Sequence, residues 1–242
     1  MRRGSLVEAD LRLLDEYRRS FGAAYETVVR TIREQLQLEP TGRPAKSTAS
    51  LIEKLHRESI RLVQVQDIAG CRVVVANVVE QERVVASLRS PFPAASIIDR
   101  RTKPSYDYRA VHVIVRISGK MVEIQVRSAL QHLWAEFSEK LSDVVDATIK
   151  YGGGADVVRK ALTALSERIA VLEVLELQIG GIETQIAGLA QRQVPEQYGQ
   201  QLQKAQEFLV EVKGNIIGAR ELLDTALNEA ISGVEKLRGR KT

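Results

Sequence analysis

The first residues that could do chemistry are cations on a helix predicted between positions 48 and 58. Lys54 and Arg57 are three residues apart and share a helix face, and Ser50 lies on that face four residues before Lys54. Converging cations suit a polyphosphate, because each charge-assisted hydrogen bond contributes roughly 1.5–3 kcal/mol. The alternative is a solvated helix surface whose positive charge is relieved by neighbouring glutamates.

Two carboxylates lie in or beside predicted strands. Asp67 comes just before the apolar run at 70–77, and Glu123 lies in the middle of another strand. A buried carboxylate must be paired or bind a metal. Two acids from separate strands would suit Mg²⁺ that bridges phosphate oxygens. A cross-strand ion pair between Arg116 and Glu123 explains the second acid equally well.

A third candidate is the segment at 100–109, which interleaves cations with tyrosines. Such a segment can stack a base on an aromatic ring while its cations hold phosphates. An ordinary surface loop is the alternative. His112 and His132 have no spacing with cysteine or acidic residues that would indicate a zinc site.

The predicted elements that position these residues belong to the α/β class, with a mixed sheet flanked by helices. Helices are predicted at 5–37, 48–58, 78–88 and 129–145, and strands at 70–77, 95–99, 110–117 and 121–127. Farther on, two long stretches with apolar residues every three or four positions flank a break near Pro195, which predicts a helical hairpin or coiled coil. We therefore expect a catalytic region at 1–150 and a helical arm at 151–242 that packs, joins a second copy or binds a partner.

The last two predicted strands can be aligned as a hairpin. A two-residue turn at 119–120 would bring their apolar residues to one side. On the opposite side this register places Arg116 beside Glu123, and His112 beside Arg127. We expect that charged face of the sheet to carry the site.

The composition excludes several classes of protein. The chain has 35 Lys and Arg against 31 Asp and Glu, which gives a net charge of +4. This charge fits a protein that handles phosphates but is too small to indicate general nucleic-acid binding. Its one cysteine, Cys71, lies in an apolar run, where we expect a buried, inert thiol in a reducing compartment. No apolar stretch approaches the roughly 20 residues of a membrane span. We expect a cytoplasmic protein without a membrane partner.

Taken in order, the motifs resemble those of the RelA/SpoT-type family, which synthesises the alarmone (p)ppGpp. The segments that carry the resemblance are GRPAK at 42–46, SLIEKLHR at 50–57, DIAGCRVV at 67–74, YRAVH at 108–112, EIQVRS at 123–128 and HLWAE at 132–136. As a set they are very specific. The resemblance implies a nucleotidyltransferase-like α/β fold and a small, stand-alone synthetase.

The resemblance also implies a role for each candidate residue. Asp67 and Glu123 would hold Mg²⁺, and Glu123 would also activate the attacking hydroxyl. The ATP side would consist of Arg43, Lys46, Ser50, Lys54, Arg57 and Arg72, with the adenine between the first and last of them. The acceptor side would consist of Lys103, Tyr108, Arg109, His112, Gln125 and Arg127, with the tyrosine stacked on the base.

The implied reaction moves the β,γ-pyrophosphate of ATP to the ribose 3′-hydroxyl of GDP or GTP and releases AMP. Asp107 stands where the family usually has Gly before the tyrosine, and Asp tolerates left-handed backbone geometry better than most residues. Two alternatives stay open: a toxic branch that modifies adenosine nucleotides or the 3′ end of tRNA, and a catalytically silent binding module. We expect a homo-oligomer joined through the helical arm, and no DNA partner.

Overall fold

The computed structural model describes residues 8–190 and 198–239. The described α-helices are α1 Glu8–Arg19, α2 Gly22–Leu36, α3 Thr48–Glu58, α4 Val78–Leu88, α5 Ala129–Val144, α6 Asp156–Ala190 and α7 Gly199–Gly239. The strands are β1 Thr41–Arg43, β2 Ala69–Val75, β3 Ser96–Asp99, β4 Val111–Ile117 and β5 Lys120–Ser128. They form one mixed sheet in the order β1-β2-β5-β4-β3, which confirms the predicted α/β class.

Backbone contacts divide the chain into two compact units. The described residues of the first unit fall within 1–74, 83–99 and 110–126, and those of the second within 75–82, 100–109 and 127–242. The boundary between a catalytic region and an arm near residue 150 stays a prediction. The break predicted near Pro195 lies outside the described residues.

In the first unit, the single helix predicted at 5–37 is wrong, because α1 ends at Arg19 and α2 begins at Gly22. The Ser20 hydroxyl donates a 2.6 Å hydrogen bond to the Tyr17 carbonyl at the end of α1, and such local side-chain bonds compete with helix continuation. Phe21 then turns into the core and packs edge-on against the Tyr17 ring, with the ring centroids 5.4 Å apart. Glycine, with its low helix propensity, follows at the break.

The hairpin of β4 and β5 is in a different register from the predicted one. Its turn consists of Ser118 and Gly119, with φ of 49° and 78°, and not of residues 119–120. Positive φ at both central residues is typical of the type I′ turn, whose twist suits a two-residue hairpin loop. The register therefore moves by two residues, so that Glu123 lies opposite Ile114.

A shift of two residues keeps every side chain on its predicted side of the sheet but changes its partner. Arg116 lies opposite Met121 and is exposed, so the cross-strand ion pair proposed for it is wrong. His112 lies opposite Gln125, two residues from its predicted partner. The polar face is thus confirmed, while its pairs are corrected.

Most of the apolar side of this hairpin is buried. Val122 and Ile124 of β5 have no exposed surface, and neither do Val28 and Ile32 of α2, a helix that packs against β4. Burying one such side chain contributes about 1.5–3 kcal/mol. This burial fixes which face of β4 and β5 carries the polar residues.

Cys71 of β2 is buried, as predicted, and exposes 3% of its surface. Burial, followed by the nearby charge of Glu123, raises the pKa of its thiol to about 12.

We expect the native protein to leave a thiol reagent unconsumed at pH 8, and the unfolded protein in guanidinium to consume one equivalent, because only the exposed thiolate reacts. The absorbance released from a disulfide reagent measures how much reagent the native and the unfolded protein each consume. Rapid labelling of the native protein would contradict the burial.

In the second unit, α5, α6 and α7 pack against one another, which confirms the two long helices predicted beyond residue 150. Their core contains Leu130, Trp134, Ala135, Ile149, Leu162, Ile169 and Leu227. The indole N–H of Trp134 donates a 2.9 Å hydrogen bond to the Leu162 carbonyl and ties α5 to α6. Among the helices of the described ranges, none has the length and hydropathy that a bilayer crossing requires.

Candidate active site

In the first unit, the carboxylate of Asp67 lies just before β2 and is held by two lysines. The Lys54 ammonium donates to its Oδ1 at 2.9 Å, and the Lys46 ammonium donates to its Oδ2. Burial would raise the pKa of Asp67, but the two ammonium groups outweigh burial and hold this pKa below its usual value. The carboxylate is therefore ionised at neutral pH, and two of the predicted phosphate-binding cations converge on it.

Local structure fixes the position of both lysines. The backbone N–H of Lys46 donates to the Ile68 carbonyl at 2.7 Å, which holds this segment beside the start of β2. Lys54 projects from α3, whose N-cap is Ser47. The Ser47 hydroxyl oxygen accepts the backbone N–H of Ser50 at 3.2 Å and donates to the Ser50 hydroxyl at 2.8 Å. Ser50 therefore lies at the helix start.

The other predicted ATP-side residues are the arginines Arg57, Arg72 and Arg43. Arg57 donates to Glu58 at 3.0 Å and lies 3.6 Å from Glu53, which is the charge relief expected of a solvated helix face. Arg72 lies in β2 and is half-buried. Arg43 lies in β1, and its side chain is outside the part of the chain that the structure describes.

The second acid, Glu123, is held by its neighbours on the polar face of the hairpin. His112 Nδ1 lies 2.6 Å from its Oε1, and the Gln125 side-chain amide donates to its Oε2 at 2.7 Å. Burial would raise the pKa of Glu123, but the hydrogen bonds from His112 and Gln125 outweigh burial and keep this pKa below its usual value. Three predicted site residues are thus brought together around one ionised carboxylate.

The two acids lie on or beside neighbouring strands, because Asp67 comes just before β2 and Glu123 lies in β5. A side chain at Gly70 would place its Cβ 3.0 Å from the Glu123 carbonyl oxygen, so glycine permits the close approach of these strands. The charge of Asp67 acts on Glu123 in the direction that raises its pKa, as expected for two nearby carboxylates.

The donor set fits Mg²⁺. Magnesium is usually bound through one or two protein carboxylates, with water and substrate phosphates as its other ligands. The described residues contain no cluster of three or more His, Cys, Asp or Glu that could hold a metal by itself. Asp67 and Glu123 therefore suit a metal ion that shares its coordination with a phosphate.

Four of the predicted acceptor residues belong to the second unit, namely Lys103, Tyr108, Arg109 and Arg127. The Arg127 guanidinium lies over the Tyr108 ring, 5.0 Å from its centroid, and its Nε donates to the tyrosine hydroxyl at 3.2 Å. Tyr108 also packs against the core of α5, α6 and α7. Lys103 is exposed to solvent. One face of the tyrosine ring is thus covered by a cation of the protein itself.

Arg109 forms a buried ion pair with Glu173 of α6. Its Nη2 and Nε donate to Glu173 Oε2 at 2.5 and 3.1 Å, and the side-chain amide of Gln131 donates to Oε1 at 2.6 Å. The sequence analysis missed Glu173. It could have been recognised as a buried acid, because it comes four residues after Ile169 and therefore lies on the apolar face of α6. The predicted acceptor role of Arg109 stays a prediction.

We expect Glu173→Gln to lower the free energy of unfolding by about 3–5 kcal/mol, because it leaves the guanidinium of Arg109 buried without its counter-charge. Glu183→Gln is the matched control, since Glu183 pairs with Lys213 at the surface of the same helix. Glu183→Gln should lower the free energy of unfolding by less than about 1 kcal/mol. Urea unfolding measures both variants, and equal destabilisation would contradict the importance of the buried pair.

Comparisons with known proteins identify the family to which the sequence is similar. Residues 42–145 match the family model described as a region found in RelA/SpoT proteins. The chain is 32% identical over 195 residues to Uncharacterized protein Rv1366 of Mycobacterium tuberculosis, which covers 78% of this chain and 70% of that protein. It is also 32% identical over 97 residues to Probable GTP diphosphokinase RSH2, chloroplastic, of Arabidopsis thaliana, over 38% of this chain and 14% of that protein.

The fold has a counterpart among solved structures. The crystal structure of small alarmone synthetase 1 from Bacillus subtilis, bound to its product pppGpp, superposes with a TM-score of 0.51. The alignment covers 72% of this chain and 97% of the other, at 24% identity. At this level of identity the likeness supports a common fold.

Proposed function

Because the chain belongs to the RelA/SpoT family, we propose that it is a pyrophosphokinase that moves the β,γ-pyrophosphate of ATP to the 3′-hydroxyl of GDP or GTP. The observation that carries the proposal is a pair of ionised carboxylates: Glu123 lies in β5, and Asp67 lies just before β2, the strand next to β5. The likeness to a probable GTP diphosphokinase over 97 residues supports the choice of a guanosine acceptor.

On the donor side, Lys46 and Lys54 would bind the phosphate chain of ATP. Phosphoryl-type transfer needs little covalent help from the protein, and its rate depends mainly on positioning and on neutralising charge. The carboxylate of Asp67 holds both ammonium groups at one place, which supports this role. Arg43, Ser50, Arg57 and Arg72 complete the proposed ATP side.

Asp67 and Glu123 are the residues that would hold Mg²⁺, which when bound neutralises charge on the phosphate oxygens. His112 and Gln125 contact both oxygens of Glu123, so they fix the direction in which its carboxylate points. The lowered pKa keeps that carboxylate deprotonated at neutral pH, as a proton acceptor requires.

The proposed step has one bond formed and one broken. The acceptor 3′-oxygen attacks the β-phosphorus of ATP, and its proton passes to the carboxylate of Glu123. The bond between the β-phosphorus and the oxygen that bridges to the α-phosphorus breaks, and AMP leaves with the electron pair of that bond. The products are AMP and a nucleotide that carries a new 3′-pyrophosphate.

The acceptor side of the proposal comprises Lys103, Tyr108, Arg109, His112, Gln125 and Arg127. Tyr108 would stack on the acceptor base, as aromatic rings do in many nucleotide sites.

The helical arm would join copies of the chain, a proposal supported by exposed apolar residues on α6 and α7. These include Val171, Phe208 and Leu222, which expose 60%, 67% and 75% of their surfaces.

An acceptor panel tests the proposal. ATP labelled at its γ-phosphate is incubated with the protein, Mg²⁺ and one acceptor at a time, namely GDP, GTP, AMP or uncharged tRNA. The proposal predicts that label moves to GDP or GTP. Label found only in tRNA or in AMP would replace the guanosine acceptor with one of the family's other acceptors. The absence of transfer to any of them would favour a binding module.

A further inference from the structure

The segment at 100–109, which we call the acceptor loop, has an unusual backbone conformation at its tip. Tyr106 and Asp107 have φ of 53° and 65°, in the left-handed region that residues with a side chain rarely occupy. Two such residues in succession persist only where surrounding groups hold them. The contacts that hold Asp107 therefore determine how the loop presents the next residue, Tyr108.

Helix α6 supplies those contacts. The Thr163 hydroxyl donates to Asp107 Oδ2 at 2.6 Å, and the Ser166 hydroxyl donates to the Asp107 carbonyl oxygen at 2.6 Å. The two hydroxyls are three residues apart, so they project from the same face of the helix. The turn is closed by the backbone N–H of Tyr108, which donates to the Ser105 carbonyl at 3.1 Å.

The residues on both sides of Asp107 are anchored as well. The ring of Tyr106 lies against Gly152, where an added Cβ would come within 2.6 Å of the ring. Arg109 is tied to Glu173 of α6. The loop tip is thus held at both ends, and Thr163 contacts the Asp107 side chain.

We propose that Thr163 is a positioning residue through which α6 sets the acceptor loop and thereby the affinity for the acceptor nucleotide. This inference rests on the proposed function for its effect on catalysis. A free carboxylate at position 107 would repel an anionic nucleotide. Thr163 ties that carboxylate to the helix and supports the left-handed backbone from which Tyr108 projects.

Hydrogen exchange tests the loop contact without any assay of activity. We expect Thr163→Val to speed exchange of the Tyr108 amide by about tenfold or more, because a hydrogen bond to a charged group is lost. Thr184→Val is the matched control. Thr184 lies on the same helix, is exposed, and donates only within the helix, to the Gly180 carbonyl at 2.9 Å. Equal protection of Tyr108 in the two variants would overturn the inference.

Kinetics test its consequence. We expect Thr163→Val to raise the KM for the acceptor by about tenfold, while kcat and the KM for ATP match those of Thr184→Val. Adding Asp107→Gly to Thr163→Val should restore the acceptor KM, because glycine adopts positive φ unaided and carries no charge. An equal rise in the KM for ATP, or no rescue by glycine, would overturn the inference.

The two proposals can fail separately. If the unaltered protein transfers pyrophosphate to no acceptor, the proposed function fails, while hydrogen exchange still decides whether Thr163 holds the loop. If transfer occurs but Thr163→Val behaves as the control does in both assays, the proposed function stands and the role of Thr163 is wrong.

Discussion

Glu123→Gln is expected to lower kcat by about 10³-fold, within the 10²–10⁴-fold range of general acid–base catalysis. The amide has nearly the shape of the carboxylate, but it cannot take the hydroxyl proton and carries no charge for a metal ion. Its oxygen can still contact His112, so we expect the fold to be retained. The measurement is pyrophosphate transfer at saturating ATP and acceptor, with circular dichroism to compare the folded states.

The control for that variant is Glu139→Gln, which makes the same chemical change at an exposed position of α5. It should leave kcat unchanged. If Glu123→Gln kept more than a tenth of the normal kcat with an intact fold, Glu123 would not be the proton acceptor. The carboxylate would then have only a structural role on the hairpin.

Asp67→Asn is expected to reduce transfer by a comparable factor for a different reason. The change removes the charge that gathers Lys46 and Lys54, together with one of two proposed ligands for Mg²⁺. Losing a metal's charge stabilisation costs several kcal/mol, and each 1.36 kcal/mol is a factor of ten in rate. We therefore expect about a 10³-fold fall in kcat/KM for ATP at low Mg²⁺.

The dependence of the rate on Mg²⁺ tests the proposed metal role of Asp67. The rate of Asp67→Asn should rise as Mg²⁺ is increased, since a weakened site fills by mass action. Asp143→Asn, an exposed change on α5, is the control and should follow the unaltered protein. If Asp67→Asn and Asp143→Asn had the same Mg²⁺ dependence and the same rate, Asp67 would be no part of the metal site.

The sequence predicted those parts of the fold that depend on local patterns. Period-two alternation identified β4 and β5 and assigned His112, Glu123 and Gln125 to one face. The helix predicted at 48–58 has the same bounds as α3. The hairpin turn could not be predicted from the pattern, because Ser118 has a side chain and such residues rarely adopt positive φ. The hairpin register was therefore wrong by two residues.

The contacts that tie helix α6 to the acceptor loop could not be predicted, because they join residues far apart in the chain. Arg109 and Glu173 are 64 residues apart, and Asp107 and Thr163 are 56 apart. Helical periodicity marks the buried face of α6, but it does not say which loop packs there. Only the folded chain brings these partners together.

We propose that ATP donates an intact pyrophosphate group. Phosphorus NMR of one reaction that contains the protein, ATP, GDP and Mg²⁺ tests it most directly. We predict that AMP and a guanosine nucleotide with a new 3′-pyrophosphate accumulate in equal amounts, without ADP. Accumulation of ADP with transfer of a single phosphate, or ATP that stays unchanged beside every acceptor, would contradict the claim.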